Sequence, residues 1–199
     1  MVEQFSTGYR SQVDLERISF KWNGKHAEEF DDQNGEFRRT VAEFIIDSKE
    51  AVPYELIRDI FIEDAKWAKE AWGTSNIFPS IAEKMLKVGQ EYAILDFLYG
   101  FSMSFDTYAC CHTIDLSGID LQKFINFIDN QINEESDETT LKMLEAGREF
   151  FTKHLQGNAA DGWVGLKPGV PITNIKVIHP LSTRIKFIAK GFLKKLFGA

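Results

Sequence analysis

Three acidic residues carry the most suggestive spacing in this 199-residue sequence. Glu55, Asp59 and Glu63 recur at i, i+4 and i+8, which stacks three carboxylates on one side of a helix, with Asp64 beside them. Such a ladder offers hard oxygen ligands to Mg²⁺ and would suit a metal-dependent hydrolase on a helical bundle. The same spacing describes a solvated face opposite an apolar stripe, with Arg58 three residues after Glu55 and Lys66 three after Glu63 as partial neutralisation. The solvated face is the commoner arrangement. A helical two-metal site would also want paired Glu-x-x-Glu motifs, and the one candidate, Glu135 with Glu138, falls in a polar connection.

A second cluster is Asp106-Thr107-Tyr108-Ala109-Cys110-Cys111-His112, where ionisable groups interrupt an otherwise apolar stretch. A thiol beside an imidazole can become a reactive thiolate. Successive helical residues point about 100° apart, however, so Cys111 and His112 do not face each other. Asp106 does reach Cys110 at i+4, but a carboxylate raises a thiol pKa. A Cys-His nucleophile would need another histidine brought in by the fold, from His26, His154 or His179. Structural thiols and a helix-terminal histidine are the expectation, because free cysteine is among the most buried residue types. No CxxC, HExxH or Glu-x-x-His spacing is present, and the glycines at 157, 162, 165 and 169 do not form a phosphate loop. No cofactor is expected.

The C-terminal segment has a different character. In residues 181–199, Ile185, Ile188, Ala189, Phe192 and Leu196 form one helical stripe, Arg184, Lys186, Lys190, Lys194 and Lys195 lie mostly off it, and Ser182 or Thr183 can cap its start. A basic amphipathic helix of this type packs on its own domain, enters a partner's groove or lies on an anionic membrane. Arg184, Lys186, Phe187, Lys190, Phe192, Lys194 and Lys195 are the residues expected to make a partner or membrane contact.

Charge sharpens the contrast. Residues 161–199 hold seven basic residues against one acid, so this stretch is +6, whereas the remainder holds 16 basic and 29 acidic residues, or −13, within an overall −7. An acidic body repels phosphate backbones, so nucleic acid is not an expected partner. Acidic surfaces steer toward basic partners, which suits an adaptor, regulatory or toxin-neutralising module. The two cysteines are adjacent, which excludes a secreted-type disulfide framework and makes a reduced cytoplasmic setting the expectation, with peripheral membrane contact through the tail as a variant. Met1 to Gly8 has no charged start followed by an apolar run, so a signal peptide is not expected.

The elements that must position these residues read as mainly α: a compact helical domain of five to six helices, a small β element and a C-terminal amphipathic helix. Ile18 to Trp22 alternates and is followed by Asn23-Gly24, so a hairpin returning through residues 25–30 is expected; residues 174–178 are a second candidate strand. Phe37, Val41, Phe44 and Ile45 mark one helix. Pro53 opens a second, with Leu56, Ile57, Ile60, Phe61, Ala65, Ala68 and Trp72 as its buried stripe and Gly73 as a left-handed cap. A third starts near Pro79, buries Ile81, Ala82, Met85 and Leu86 and stops at Gly89. The stretch from Glu91 to Cys111 is apolar on most sides, which places it centrally, with Gly100, Ser102 and Ser104 permitting close approach or a bend. Asp120 precedes the repeat Leu121, Phe124, Ile125, Ile128 and Ile132, and a last helix turns Leu141, Leu144, Phe151 and Leu155 inward before Gly157.

These observations divide the chain into an acidic helical domain at 1–160, a Gly/Pro-rich connection at 161–180 and the basic helix at 181–199. The function they favour is a non-enzymatic protein-binding module with a basic amphipathic tail. The alternatives are the hydrolase using Glu55, Asp59 and Glu63, and a peripheral membrane protein acting through residues 181–199.

Overall fold

The computed structural model describes residues 1–157. The connection at 161–180 and the helix at 181–199, with Arg184, Lys186, Phe187, Lys190, Phe192, Lys194 and Lys195, lie outside the described residues, as does the candidate strand at 174–178.

The fold is mainly helical. In chain order the helices are α1 (Val2–Thr7), α2 (Ser11–Asp14), α3 (Gly35–Asp47), α4 (Tyr54–Ala71), α5 (Phe78–Gly89), α6 (Ile94–Phe101), α7 (Phe105–Cys111), α8 (Leu121–Glu134) and α9 (Glu138–Leu155). Their local signals are ordinary ones. Pro53 is the N-cap of α4, Pro79 lies in the first turn of α5, and the Asp120 and Asp137 carboxylates cap α8 and α9 by accepting the Lys123 and Thr140 amides at 3.1 and 2.8 Å. The expected hairpin is reduced to one antiparallel bridge, Trp22 with Asp32; among the described residues there is no strand. Gly24 does turn the chain, at φ 77°, but Ala27–Glu29 winds into a 3-10 turn that interrupts the returning arm.

Helix α4 runs through the middle and packs on α5 and α6, while α8 and α9 form an antiparallel pair set against α6. Phenylalanine fills the space between them. Phe61 stacks on Phe78 and Phe97 with centroids 4.9 and 6.0 Å apart, and Phe97 meets Phe150 and Phe151 of α9 at 5.5 and 5.7 Å. Glycine permits this crowding. A methyl on Gly100 would lie 2.3 Å from the Phe61 ring, and one on Gly147 would lie 2.2 Å from Leu98.

Five expectations need correction. The five to six helices expected leave out the short α1 and α2. Leu155, expected to turn inward, is 48% exposed, because it is the last residue of α9. The apolar stretch 91–111 is two helices, because the Ser104 hydroxyl and the Thr107 side chain form a capping box that starts α7 anew after a break at Ser102 and Met103. That stretch is also not buried all round: Tyr92, Leu95 and Tyr99 are exposed. Trp72, expected in the buried stripe of α4, is 77% exposed and itself adopts the left-handed cap conformation expected of Gly73.

Gly100→Ala should destabilise the fold by about 1–3 kcal/mol, since the Phe61 ring is stacked on both sides and cannot yield. Gly73→Ala, with nothing within 4 Å, should change stability by less than about 0.5 kcal/mol. Urea unfolding of the two variants checks the contrast.

Candidate functional site

The acidic ladder of α4 is not a solvated face. Asp59 and Glu63 are buried, and only Glu55 is exposed. The first 34 residues lie over this edge of the helix and donate to it. Asp59 Oδ2 accepts the Tyr9 hydroxyl at 2.7 Å and the Ser11 hydroxyl at 2.6 Å, while Oδ1 accepts Arg58 Nη2 at 2.7 Å. Glu63 accepts the Phe20 amide at 2.7 Å and Lys66 Nζ at 2.6 Å. Asp64 accepts the Ser75 hydroxyl, and 3.8 Å away lies the guanidinium of buried Arg38, which also grips Asp32 at 2.5 Å and donates to the Ile18 carbonyl at 3.3 Å. Burial pushes the Asp64 carboxyl up, and burial, reinforced by the Asp59 carboxylate, pushes the Tyr9 hydroxyl well up, so Tyr9 remains a donor.

Each buried carboxylate of α4 therefore has donors supplied by the chain itself, as a buried charge requires. Lys66 pairs with Glu63 as its spacing suggested, whereas Arg58 turns to Asp59 instead of Glu55. Glu55, Asp59 and Glu63 do not converge: no group of three or more His, Cys, Asp or Glu side chains able to hold a metal occurs among the described residues.

The Asp106–His112 cluster sits where α7 meets α6 and α9. Cys110 and Cys111 are buried free thiols, and burial raises both, Cys111 strongly, which keeps them protonated and poor nucleophiles. Asp106 is likewise raised by burial. His112 donates its Nδ1–H to the Tyr108 carbonyl, 2.9 Å away, and its ring lies 5.1 Å from Phe150. The fold does bring a second histidine near, but not to a cysteine. His154 packs 4.5 Å from the same Phe150 ring, with Nε2 buried and without a hydrogen-bond partner among the described residues. Burial, reinforced by His112, lowers His154 to about 4. His26 goes elsewhere, to Trp22 and Trp72, and His179 lies outside the described residues.

What sequence reasoning missed lies on the surface. Tyr92 is 90% exposed, Tyr99 51% and Leu95 40%, and these three fall at i, i+3 and i+7 along the 3-10 turn Gln90–Ala93 and α6. The signal was present as the doubling of apolar faces in this stretch, which a central position alone does not require. At the other end of α4, Trp72 stands over His26 with stacked rings 5.7 Å apart. No helix of the described residues is long and apolar enough to cross a membrane.

The chain matches no protein-family model, no curated protein and no solved structure.

Asp59→Ala should cost about 3 kcal/mol by leaving the Tyr9 hydroxyl and Arg58 without their shared acceptor, and it should raise hydrogen exchange in residues 1–20 more than in α8 and α9. The histidines predict a pH effect. His154 binds its proton more weakly folded than unfolded, so the stability it contributes is whole above its ordinary pKa of 6.5 and is lost as pH falls toward about 4. The loss should approach about 2 kcal/mol. Subtracting the unfolding free energy of His154→Gln from that of the parent chain across this range isolates the term, and a flat difference would refute it.

Proposed function

We propose that this chain is a non-enzymatic protein-binding module of adaptor or regulatory type, which engages its partner through the ridge formed by Tyr92, Leu95 and Tyr99. The carrying observation is that ridge: three large side chains exposed at i, i+3 and i+7 along the 3-10 turn and α6, whose other faces carry the core residues Ile94, Phe97, Leu98 and Phe101. Aromatic residues contribute large contact area at small entropic cost, and tyrosine is enriched where protein interfaces are tightest. A contiguous apolar face is usually an interaction site.

The chemistry elsewhere supports binding over catalysis. The thiols Cys110 and Cys111 are buried and protonated, and Asp59 and Glu63 are spent on anchoring the N-terminal segment. The basic residues Arg184, Lys186, Lys190, Lys194 and Lys195, with Phe187 and Phe192, would supply a second contact of opposite charge to the body. The ridge is rigid because α6 is held beneath by Phe97 and Leu98 and its Asp96 accepts the Tyr54 hydroxyl at 2.9 Å. Rigid presentation lowers the entropy lost on binding.

The test is affinity capture with the full chain and with a Tyr92→Ser, Leu95→Ser, Tyr99→Ser variant. All three positions are exposed, so the melting temperature should be nearly unchanged. A protein retained by the parent and weakened at least about tenfold in the variant supports the reading. Identical retention by both forms overturns it.

A further inference from the structure

We infer that a second surface, the aromatic platform of Trp22, His26 and Trp72, binds arginine side chains of a basic segment on a protein partner. It is separate from the Tyr92 ridge. Tyr54, at the start of α4, lies under Gly89 and Asp96 beside that ridge, whereas Trp72 caps the other end of the helix. Eighteen residues of helix at about 1.5 Å each set the two surfaces about 27 Å apart.

The platform is a run of rings. Trp72 stacks on His26 at 5.7 Å and 30°, His26 meets Trp22 at 4.8 Å, Trp22 meets Phe30 at 6.3 Å, and Phe30 meets Trp67 edge-on at 6.1 Å. Its inner members are half-buried, while His26 is exposed and Trp72 is 77% exposed. Hydrogen bonds hold the loop in place: Trp22 Nε1 donates to the Lys25 carbonyl at 2.7 Å and Asn23 Nδ2 to the Glu29 carbonyl at 2.6 Å.

The backbone bends to build this surface. Trp72 has φ 56° and ψ 46°, a left-handed conformation disfavoured for a bulky residue, although Gly73 stands next to it and could have taken that role at no cost. Ala27, beside His26, is also left-handed at φ 57°. Burial does not compensate at Trp72, since the indole remains mostly in water. Two unfavourable residues thus flank the same stack, one at each end of the Trp72–His26 contact, where an observed outlier is a pointer to use.

Charge selects the ligand. The loop that carries His26 and Phe30 also carries Glu28 and Asp31, both exposed and neither in an ion pair among the described residues. Flat indole and imidazole faces on a loop that also carries these carboxylates fit a cation that is itself flat. Guanidinium stacks on aromatic faces, pairs with carboxylates through two N–H groups and sheds water more readily than ammonium. The fold already uses that contact internally, where the Arg17 guanidinium sits 4.5 Å over Phe5 and 5.0 Å over Phe37. The chain's own segment 181–199 is lysine-rich with one arginine, Arg184, so its composition fits this site poorly and a partner's arginines fit it better.

The experiment is titration of the full chain with an acetylated hexa-arginine peptide, read by tryptophan fluorescence and by the NMR signals of the Trp22 and Trp72 indoles. Hexa-lysine at the same charge and phosphocholine micelles serve as the comparison probes. Hexa-arginine should bind at least about fivefold more tightly than hexa-lysine. Trp72→Gly, which relieves the backbone and so leaves the fold intact, should weaken hexa-arginine by about fivefold or more. Glu28→Gln with Asp31→Asn should weaken it and flatten its salt dependence. Equal binding of the two peptides would mean undirected attraction to an acidic body and overturns the proposal. So does unchanged affinity in Trp72→Gly, or a fluorescence response to phosphocholine that exceeds the one to hexa-arginine.

Discussion

The constraint on which the rest depends is the burial of negative charge along one edge of α4. Asp59, Glu63 and Asp64 cannot be left unpaired away from water, and the donors that satisfy them come from Tyr9, Ser11, the Phe20 amide, Ser75 and Arg38. The three contacts made by Tyr9, Ser11 and the Phe20 amide therefore decide where the first 34 residues lie. Because the bonds are directional and one partner in each is charged, they specify a single seating for a segment that has little regular structure of its own. Ile18 and Tyr9 then enter the core as a consequence of that seating.

On its other side α4 meets an almost unbroken stack of phenylalanine rings, and the two sides together make it the spine of the domain. The stack explains why the ionisable residues of α7 are chemically quiet. His112 lies against Phe101 and Phe150, where low polarity favours the neutral imidazole, and the burial of Cys110 and Cys111 likewise favours the neutral thiol. The same burial that quiets them couples His112 and His154 to acid, so this seam loses stability as pH falls.

The surfaces that remain are the places where large apolar groups fail to enter the core. Tyr92, Leu95 and Tyr99 lie on the far side of a helix already committed to the ring stack, and Trp72 lies past the last turn of the helix that forms the spine. Both are held by rigid elements, the first by Phe97 and Leu98 beneath it and the second by α4 and the pinned loop Trp22–Asp32.

The sequence by itself determined the helices from α3 onward and their order, apart from the division of α6 from α7, because apolar spacing and capping are local: the stripe of α4, the Asp120 cap of α8 and the stop at Gly157, φ 72°, are read within a few residues of each other. It also showed that small residues at Gly100, Ser102 and Ser104 would permit close approach or a bend in 91–111, and the structure places the Phe61 ring against Gly100. The break at Ser104 was written there too, in a Ser and Thr three residues apart, but an apolar run on either side masked it. Only the tertiary structure decided what Asp59, Glu63 and Trp72 do. A carboxylate on a helix looks the same whether water or a distant Tyr9 hydroxyl covers it, since the partner is 50 residues away in the chain. A tryptophan at helical spacing likewise looks like core until the position of a separate loop carrying His26 shows that the helix ends beneath it and the ring stays outside.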